Sequence, residues 1–224
     1  EQVALKEWAQ PRGKVHRIAN GIATAAYGAT ARADALPRIV KRAGERWVGT
    51  LAGLRPVKNL PRLVRAFAPL PDAWQLVILG EGPERNAIRD EALRLGIGHR
   101  VHLPGFAPDP ARVIGLFDLF ALSSNSEQFP ISVVEAMAAG LAVVSTDVGD
   151  VAQMVAEANR PFIVSSEKEC DYIDALEDLA LDADARRRIG TANRTRARAE
   201  FDEATMVASY RQVYARAMKR ERFG

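Results

Sequence analysis

Two glutamates lie eight positions apart in the segment SSNSEQFPISVVEAMAAG, residues 123–140. Glu127 falls in a polar stretch, whereas Glu135 is surrounded in sequence by Val, Ala and Met. A buried carboxylate needs a partner, because desolvating an unpaired charge costs several kcal/mol. The sequence leaves three interpretations of Glu135 open: a ligand-binding carboxylate, a structural ion pair with an arginine, or a side chain on the one exposed face of its helix.

Pro130 predicts a helix that starts directly after a strand and its loop. The first turn of such a helix offers unpaired N–H groups and the positive end of the helix dipole to anions. Pro130 has no N–H, so the usable amides belong to Phe129, Ile131 and Ser132. With Glu127 beside them, the expected ligand carries both phosphates and hydroxyls, because ionised carboxylates accept hydrogen bonds from vicinal hydroxyls.

Cationic and glycine-rich loops follow two other apolar runs. Arg55 and Lys58 lie in GLRPVKN, after the apolar run WVGTL, and they could bind phosphate as a fork and as a point charge. The loop GEGP, residues 80–83, contains glycines that permit a close backbone approach. Each loop alone is also typical of an ordinary surface turn.

The elements that must position these side chains alternate between short apolar strands and amphipathic helices. Strands are predicted at residues 15–18, 47–51, 74–80, 101–103, 119–123, 142–146 and 162–165. Helices are predicted after Asn59 as a cap, between Pro83 and Gly96, between Pro130 and Gly140, and over residues 171–181 and 184–200. This alternation predicts an α/β fold, a doubly wound Rossmann-like parallel sheet with helices on both faces. Such sheets bind ligands beyond the carboxyl ends of their strands.

Length and composition allow one large domain with appendages. The 224 residues are 48% hydrophobic and 26% charged, and no apolar run approaches the roughly 20 residues of a membrane helix. We expect a connector at residues 1–14, the sheet domain at 15–200 and an amphipathic helix at 201–224, with an apolar stripe suited to docking. The single cysteine, Cys170, favours a reducing, cytoplasmic setting.

The formal net charge of +3 does not indicate a nucleic-acid partner. Arginines nevertheless accumulate late in the chain, at Arg186, Arg187, Arg188, Arg194, Arg196 and Arg198, with Lys219, Arg220 and Arg222 after them. A solvated helix face is the preferred interpretation, and a patch for an anionic membrane surface at the inner face of the membrane is the alternative. No aromatic residues interleave with these arginines, which argues against single-stranded nucleic acid.

Several enzyme classes are disfavoured by missing motifs. A dinucleotide dehydrogenase needs G-x-G-x-x-G after its first strand, and the G-x-G that directly follows an apolar run, at residues 80–82, has Arg85 at the third glycine position. No Gly-Lys-Ser/Thr phosphate loop is present, and the three histidines lack metal-ligand spacing. The pair Asp182 and Asp184 mimics a metal-binding D-x-D, but it lies between two predicted helices, where Asp is a good cap. We therefore expect no metal site.

Two stretches, ILGEGPERNAIRDEALRLGIGHRVHLPGF and SEQFPISVVEAMAAGLAVVSTDVGDV, resemble the C-terminal domain of retaining GT-B glycosyltransferases of the group 1 or family 4 type. That family includes bacterial enzymes that transfer mannose, glucose or N-acetylglucosamine in lipopolysaccharide and exopolysaccharide assembly. The similarity covers roughly residues 15–220. It implies the nucleotide-sugar-binding, C-terminal half of a two-domain enzyme, and the segment with two glutamates is its specific part.

The resemblance also implies roles for individual residues. Glu135 corresponds to the glutamate that holds the ribose hydroxyls, and Lys58 corresponds to the lysine that binds the diphosphate. Glu127, the candidate catalytic residue, corresponds to the glutamate that contacts the donor sugar. Residues 103–106 correspond to the wall near the base and residues 147–150 to a neighbouring loop. The implied donor site comprises Arg55, Lys58, Phe106, Glu127, Gln128, Phe129, Pro130, Ile131, Ser132 and Glu135.

Three positions depart from the family pattern. Gly53 stands where the family usually has an arginine, so Arg55 must supply that charge from a shifted position or diphosphate binding is weaker. Gln128 replaces a common glycine, and Asp150 replaces the second glycine of a common pair. These departures put the identity of the sugar in doubt.

The resemblance implies that the chain binds a UDP- or GDP-sugar without a metal and contributes to hexose transfer to a glycan or lipid-linked acceptor. Its partner would be an N-terminal acceptor-binding domain, without which we expect no transfer. Two alternatives remain open: a stand-alone nucleotide-binding module, and a nucleotide-sugar epimerase of the same architecture.

Overall fold

The computed structural model describes residues 5–9, 11–28 and 31–218. Within them, six strands form one parallel sheet in the order β3-β2-β1-β4-β5-β6. The strands are β1 Arg46–Leu51, β2 Trp74–Leu79, β3 Val101–Gly105, β4 Leu119–Leu122, β5 Val143–Thr146 and β6 Ile163–Val164. This order is that of the doubly wound Rossmann fold, so the predicted fold class is confirmed.

Helices cover both faces of the sheet. They are α1 Leu60–Phe67, α2 Arg85–Arg94, α3 Ile131–Ala138, α4 Val151–Met154, α5 Glu169–Leu181, α6 Ala183–Glu200 and α7 Glu203–Ala217. Buried side chains of α1, α2 and α5 share one hydrophobic cluster, and those of α3 and α4 share the other. Because side chains alternate along a strand, Trp47 of β1 packs into the α3 cluster and its neighbour Val48 into the α1 cluster.

Two local predictions were wrong. Residues 15–18 form no strand; they run as an irregular segment whose Val15 and Ile18 are only partly buried. Asn59 precedes α1 as predicted, but its side chain makes no capping hydrogen bond. It adopts a left-handed conformation with φ of 42°, and its amide donates to Asn125 Oδ1 at 3.0 Å instead.

The segment before β1 crosses back over the domain, and we call residues 15–28 the N-terminal strap. It is attached to the junction of α6 and α7, where Ile22 N–H donates to Phe201 O and Glu203 N–H donates to Ile22 O. A 3₁₀ turn at Thr24–Gly28 packs on α3. The strap therefore brings side chains from early in the chain to the carboxyl edge of the sheet.

Candidate functional site

The strand order reverses between β1 and β4, and the loops after these two strands meet at this switch point. Asn125 N–H donates to Val57 O at 2.8 Å, and Ser123 Oγ donates to Lys58 O at 2.9 Å. Crevices at a switch point are where doubly wound sheets bind ligands. The predicted basic loop and the predicted glutamate loop thus form one structure.

Lys58 and Glu127 form an ion pair in this joint structure. Lys58 Nζ lies 2.5 Å from Glu127 Oε1, which also accepts a hydrogen bond from Ser124 Oγ at 2.7 Å. The side chains are 25% and 12% exposed, so the pair is partly shielded from solvent but reachable. Sequence analysis gave the two residues separate roles and did not foresee this pair. An anion that binds Lys58 must share the ammonium group with this carboxylate or displace it.

Glu135 faces a cavity of about 400 Å³ at the carboxyl ends of β1 and β2. The cavity is lined by Leu51, Ala52, Gly53, Leu79, Gly80, Glu81, Phe106, Ala107, Pro110, Ser132 and Glu135. Among the described residues, the Glu135 carboxylate is neither paired with an arginine nor on an exposed helix face. Its partner is Tyr27, whose Oη donates to Oε1 at 2.9 Å. Burial raises the pKa of Glu135, and the Tyr27 hydrogen bond opposes that rise.

The α3 N-terminus lies between Glu127 and Glu135. The helix begins at Ile131 after Pro130, as predicted, so the amides of Ile131 and Ser132 belong to its first turn. Ser132 lines the cavity. The ring of Phe129 packs edge-on against Phe201 with the centroids 5.7 Å apart, which holds the start of the helix in place.

The loop after β5 lies directly against the glutamate loop. Gly149 has a φ of 59°, and a Cβ atom there would lie 2.4 Å from Gln128 O and 2.6 Å from Glu127 O. Asp150 N–H donates to Gln128 O at 2.9 Å, and its carboxylate pairs with Arg17 of the strap at 2.9 Å. Residues 147–150 therefore support the position of Glu127 and Gln128, in the neighbourhood that the resemblance implied.

Four predicted site residues are exposed: Arg55, Phe106, Gln128 and Ile131. Phe106 contributes to the cavity wall, yet its side chain is 72% exposed. Arg55 is exposed, and no hydrogen bond or ion pair within residues 5–9, 11–28 and 31–218 engages its guanidinium group. Arg55 is therefore free to bind an incoming anion.

The glycines of GEGP serve loop-to-loop packing. A Cβ atom at Gly82 would lie 2.4 Å from Leu54 O, and Leu54 N–H donates to Glu81 O at 3.0 Å. The sequence predicted either a close backbone approach or an ordinary turn. The glycines do permit a close approach, and the group approached is the loop after β1. This packing holds the Gly53 and Gly80 side of the cavity together.

Tyr27 is the site residue that sequence analysis missed. It lies 108 positions before Glu135, in a stretch that carries no motif, and only the path of the strap brings the two together. Burial, followed by the charge of Glu135, raises the pKa of the Tyr27 hydroxyl, so Tyr27 remains a proton donor over the ordinary pH range.

The described residues form neither a metal-binding cluster nor a membrane-spanning helix. In the part of the chain that the structure describes, no group of three or more His, Cys, Asp or Glu side chains could hold a metal ion. None of the helices formed by the described residues is both long and apolar enough to cross a membrane.

Comparison with protein families gives a match to the model described as glycosyl transferases group 1, over residues 32–196. Among curated proteins, the chain is 31% identical over 192 residues to D-inositol 3-phosphate glycosyltransferase of Nocardia farcinica, covering 80% of this chain and 42% of that protein. It is 26% identical over 177 residues to N-acetyl-alpha-D-glucosaminyl L-malate synthase of Bacillus anthracis, covering 78% and 46%. The chain thus spans less than half the length of these two relatives.

Solved structures share the fold. HepE of Anabaena in complex with UDP superposes with a TM-score of 0.83 at 22% identity, covering 97% of this chain and 61% of that one. HepE has also been solved with UDP-glucose, where the TM-score is 0.80. Sucrose-phosphate synthase of Thermosynechococcus elongatus superposes with a TM-score of 0.78 at 25% identity, covering 96% and 56%.

Proposed function

Because this chain belongs to the glycosyl transferases of group 1, we propose that it is the donor-binding half of a retaining GT-B glycosyltransferase. In this proposal the chain holds a UDP- or GDP-sugar and contributes to hexose transfer to a glycan or lipid-linked acceptor in the cytoplasm. One observation carries the proposal: Glu135, Ser132 and the α3 N-terminus face a single cavity at the switch point of the sheet. UDP and UDP-glucose in the HepE complexes support a nucleotide sugar as the ligand class.

The nucleoside is expected in the cavity. The free oxygen of Glu135 would accept hydrogen bonds from the ribose hydroxyls, because the carboxylate retains acceptor capacity beyond the one bond from Tyr27. The exposed ring of Phe106 and the backbone near Leu103 would lie beside the base. The cavity is lined mainly by apolar and backbone groups on that side, which suits a flat ring.

The diphosphate is expected at the α3 N-terminus. Lys58 and Arg55 would supply positive charge, and the amides of Ile131 and Ser132 would donate hydrogen bonds. This set can neutralise the two phosphates without a divalent ion. During transfer, the bond between the anomeric carbon and the phosphate oxygen breaks, the acceptor hydroxyl oxygen bonds to that carbon, and the hydroxyl proton passes to the departing diphosphate. The same cations and amides would stabilise the charge that develops on the departing phosphate.

Glu127 is expected to contact the donor sugar. Its ion pair with Lys58 holds the carboxylate beside the diphosphate position, where the sugar would be attached. The acceptor is expected to come from an N-terminal domain facing the same crevice, since the chain covers less than half of its curated relatives.

The test is calorimetric titration of the chain with UDP, GDP and their glucose and mannose derivatives. Glu135→Ala should weaken binding by about 1–3 kcal/mol while the protein stays folded, because hydrogen bonds to a charged group are lost. Glu157→Ala, an exposed glutamate before β6, is the matched control and should leave affinity unchanged. Titration with EDTA should give the same affinity as titration with Mg²⁺.

Three results would count against the proposal. Equal affinity of wild type and Glu135→Ala would remove Glu135 from the site, and a large loss with EDTA would reveal a metal requirement. A failure to bind any of these nucleotides would refute the proposed donor site.

A further inference from the structure

The Tyr27–Glu135 hydrogen bond joins the strap to the residue expected to hold ribose. Tyr27 occupies one oxygen of the carboxylate at 2.9 Å, while Glu135 still lines the cavity. A carboxylate in a cavity can rotate about its terminal torsion, which is broad and twofold. A donor on one oxygen restricts that rotation and leaves the second oxygen in a defined direction.

The strap that carries Tyr27 is itself held in place. Thr24 Oγ1, in the same 3₁₀ turn, donates to Asp202 Oδ2 at 2.5 Å, and Gly21 N–H contacts Met206 Sδ at 3.2 Å. The paired backbone bonds of Ile22 with Phe201 and Glu203 fix the strap on both sides. The strap is thus anchored to the α6–α7 junction independently of the cavity, so Tyr27 approaches Glu135 from a fixed support.

We propose that Tyr27 is a positioning residue that orients the Glu135 carboxylate toward the vicinal hydroxyls of a nucleotide ribose, and thereby sets the preference for ribose over deoxyribose. This inference rests on the proposed function, because it requires Glu135 to bind the nucleotide. Tyr27 acts through Glu135 and does not contact the ligand. Its hydrogen bond also favours the ionised carboxylate, which is the form that accepts from hydroxyls.

Few titratable groups of the described residues lie near Glu135. Tyr27 faces it from the strap, Glu81 lines the same cavity from the loop after β2, and Asp109, after β3, acts on Tyr27. None of these supplies a positive charge to Glu135. Tyr27 is therefore the group whose removal should alter both the orientation and the protonation of this carboxylate.

The experiment compares wild type with Tyr27→Phe, which keeps the ring and removes only the hydroxyl. Tyr210→Phe, on the exposed face of α7, is the matched control. Each protein is titrated with UDP and 2′-deoxy-UDP, and with GDP and 2′-deoxy-GDP. We expect wild type and Tyr210→Phe to prefer the ribonucleotide by about tenfold, the size of one hydrogen bond to a charged group.

Tyr27→Phe should lose about three- to tenfold in affinity for the ribonucleotide and less for the deoxynucleotide, which keeps only its 3′ hydroxyl, so the preference shrinks. The midpoint of the pH dependence of ribonucleotide affinity should also move to higher pH. An equal loss for both nucleotides, or no loss, would overturn the inference and leave Tyr27 with a purely structural role.

Glu135→Gln separates this inference from the proposed function. If Glu135→Gln keeps the full ribose preference, the ribose assignment of Glu135 fails and the inference fails with it. If Glu135→Gln abolishes the preference and Tyr27→Phe retains it at an unshifted pH midpoint, only the role of Tyr27 is overturned.

Discussion

At Glu135, burial and the proposed nucleotide binding favour opposite protonation states. Burial raises its pKa above the ordinary 4.5, so the folded chain holds this proton to higher pH than the unfolded chain does. Ribose hydroxyls, however, donate hydrogen bonds and need the ionised carboxylate. The residue is therefore placed to make nucleotide binding depend on pH.

We predict that nucleotide affinity increases as pH rises from 4.5 through the raised pKa of Glu135, while stability changes in the opposite direction. In that window the folded state binds more protons than the unfolded state, so this group lowers the free energy of unfolding as pH rises. Titration calorimetry and thermal unfolding over the window measure both trends. Glu135→Gln should remove both contributions, and the ionisation of the phosphate itself cancels in the comparison. Identical profiles for the two proteins would refute the prediction.

The residue scale also shows what a sequence can and cannot reveal. Glu135 could be singled out because a carboxylate in an apolar helix is unusual, and Pro130 marked the start of that helix. Tyr27 and Arg17 could not be found, since their partners lie 108 and 133 positions away and no local pattern encodes those contacts. The Lys58–Glu127 pair was hidden for the same reason, because it depends on which two strands are neighbours.

Among the elements, the arginine-rich helix α6 proves to be mainly structural. Arg186 donates to Leu179 O and Ala180 O at the end of α5, and Arg194 donates to Ala139 O at the end of α3. Arg196 donates to Gln153 O within α4 and to Val155 O directly after it. Cations stabilise helix C-termini, whose carbonyls lack partners. These contacts leave fewer free charges for a membrane surface, and Lys219, Arg220 and Arg222 lie outside the described residues.

The elements that could be predicted depend on local sequence, and those that could not depend on contacts between distant parts of the chain. Strands β1 to β6 and most helices follow from apolar runs bounded by Gly, Pro and Asp, and Asp182 caps α6 as predicted by accepting from Ala185 N–H at 2.8 Å. The sequence of the strap offered residues 15–18 as a short strand candidate, but no strand formed by the described residues pairs with them. Its conformation is determined by α6 and α7, about 180 residues later.

The loop after β5 yields a prediction about Gly149. Gly149→Ala should lower the free energy of unfolding by about 1–3 kcal/mol, because a Cβ atom would collide with the carbonyls of Glu127 and Gln128 at a positive φ. Displacing that loop should also weaken donor binding. Gly96→Ala is the matched control: its φ is also positive, at 72°, but no atom lies within 4 Å of the added Cβ. Chemical denaturation measures both, and equal losses would show that backbone strain alone matters.

At the scale of the whole molecule, one helix presents apolar side chains to solvent. Val207, Tyr210, Tyr214 and Met218 of the α7 region are between 41% and 52% exposed, and the two tyrosine rings stack with centroids 6.3 Å apart. This is the stripe that the sequence predicted as a docking face. The chain spans less than half the length of the two curated relatives compared above, and we propose a second domain as the occupant of the crevice and this stripe.

We predict that this chain binds the donor but does not transfer sugar by itself. Retaining transfer needs a fixed donor, an acceptor hydroxyl beside the anomeric carbon, and exclusion of water. The described residues supply groups that would fix the donor: Lys58, Glu127 and the α3 N-terminus lie along one side of the proposed diphosphate and sugar positions. The measurement is release of nucleoside diphosphate from UDP- and GDP-sugars with glycan and lipid-linked acceptors, by the chain alone and joined to an N-terminal acceptor domain.

The chain alone should give no more release than the blank, and the two-domain protein should be active. Glu135→Ala in the two-domain protein is the control, because it should raise the apparent Michaelis constant for the donor if the activity uses this site. Acceptor-dependent release by the isolated chain would contradict the prediction, since a single α/β domain would then suffice to place both substrates. Donor binding without turnover, followed by activity in the two-domain protein, would assign positioning of the acceptor to the second domain.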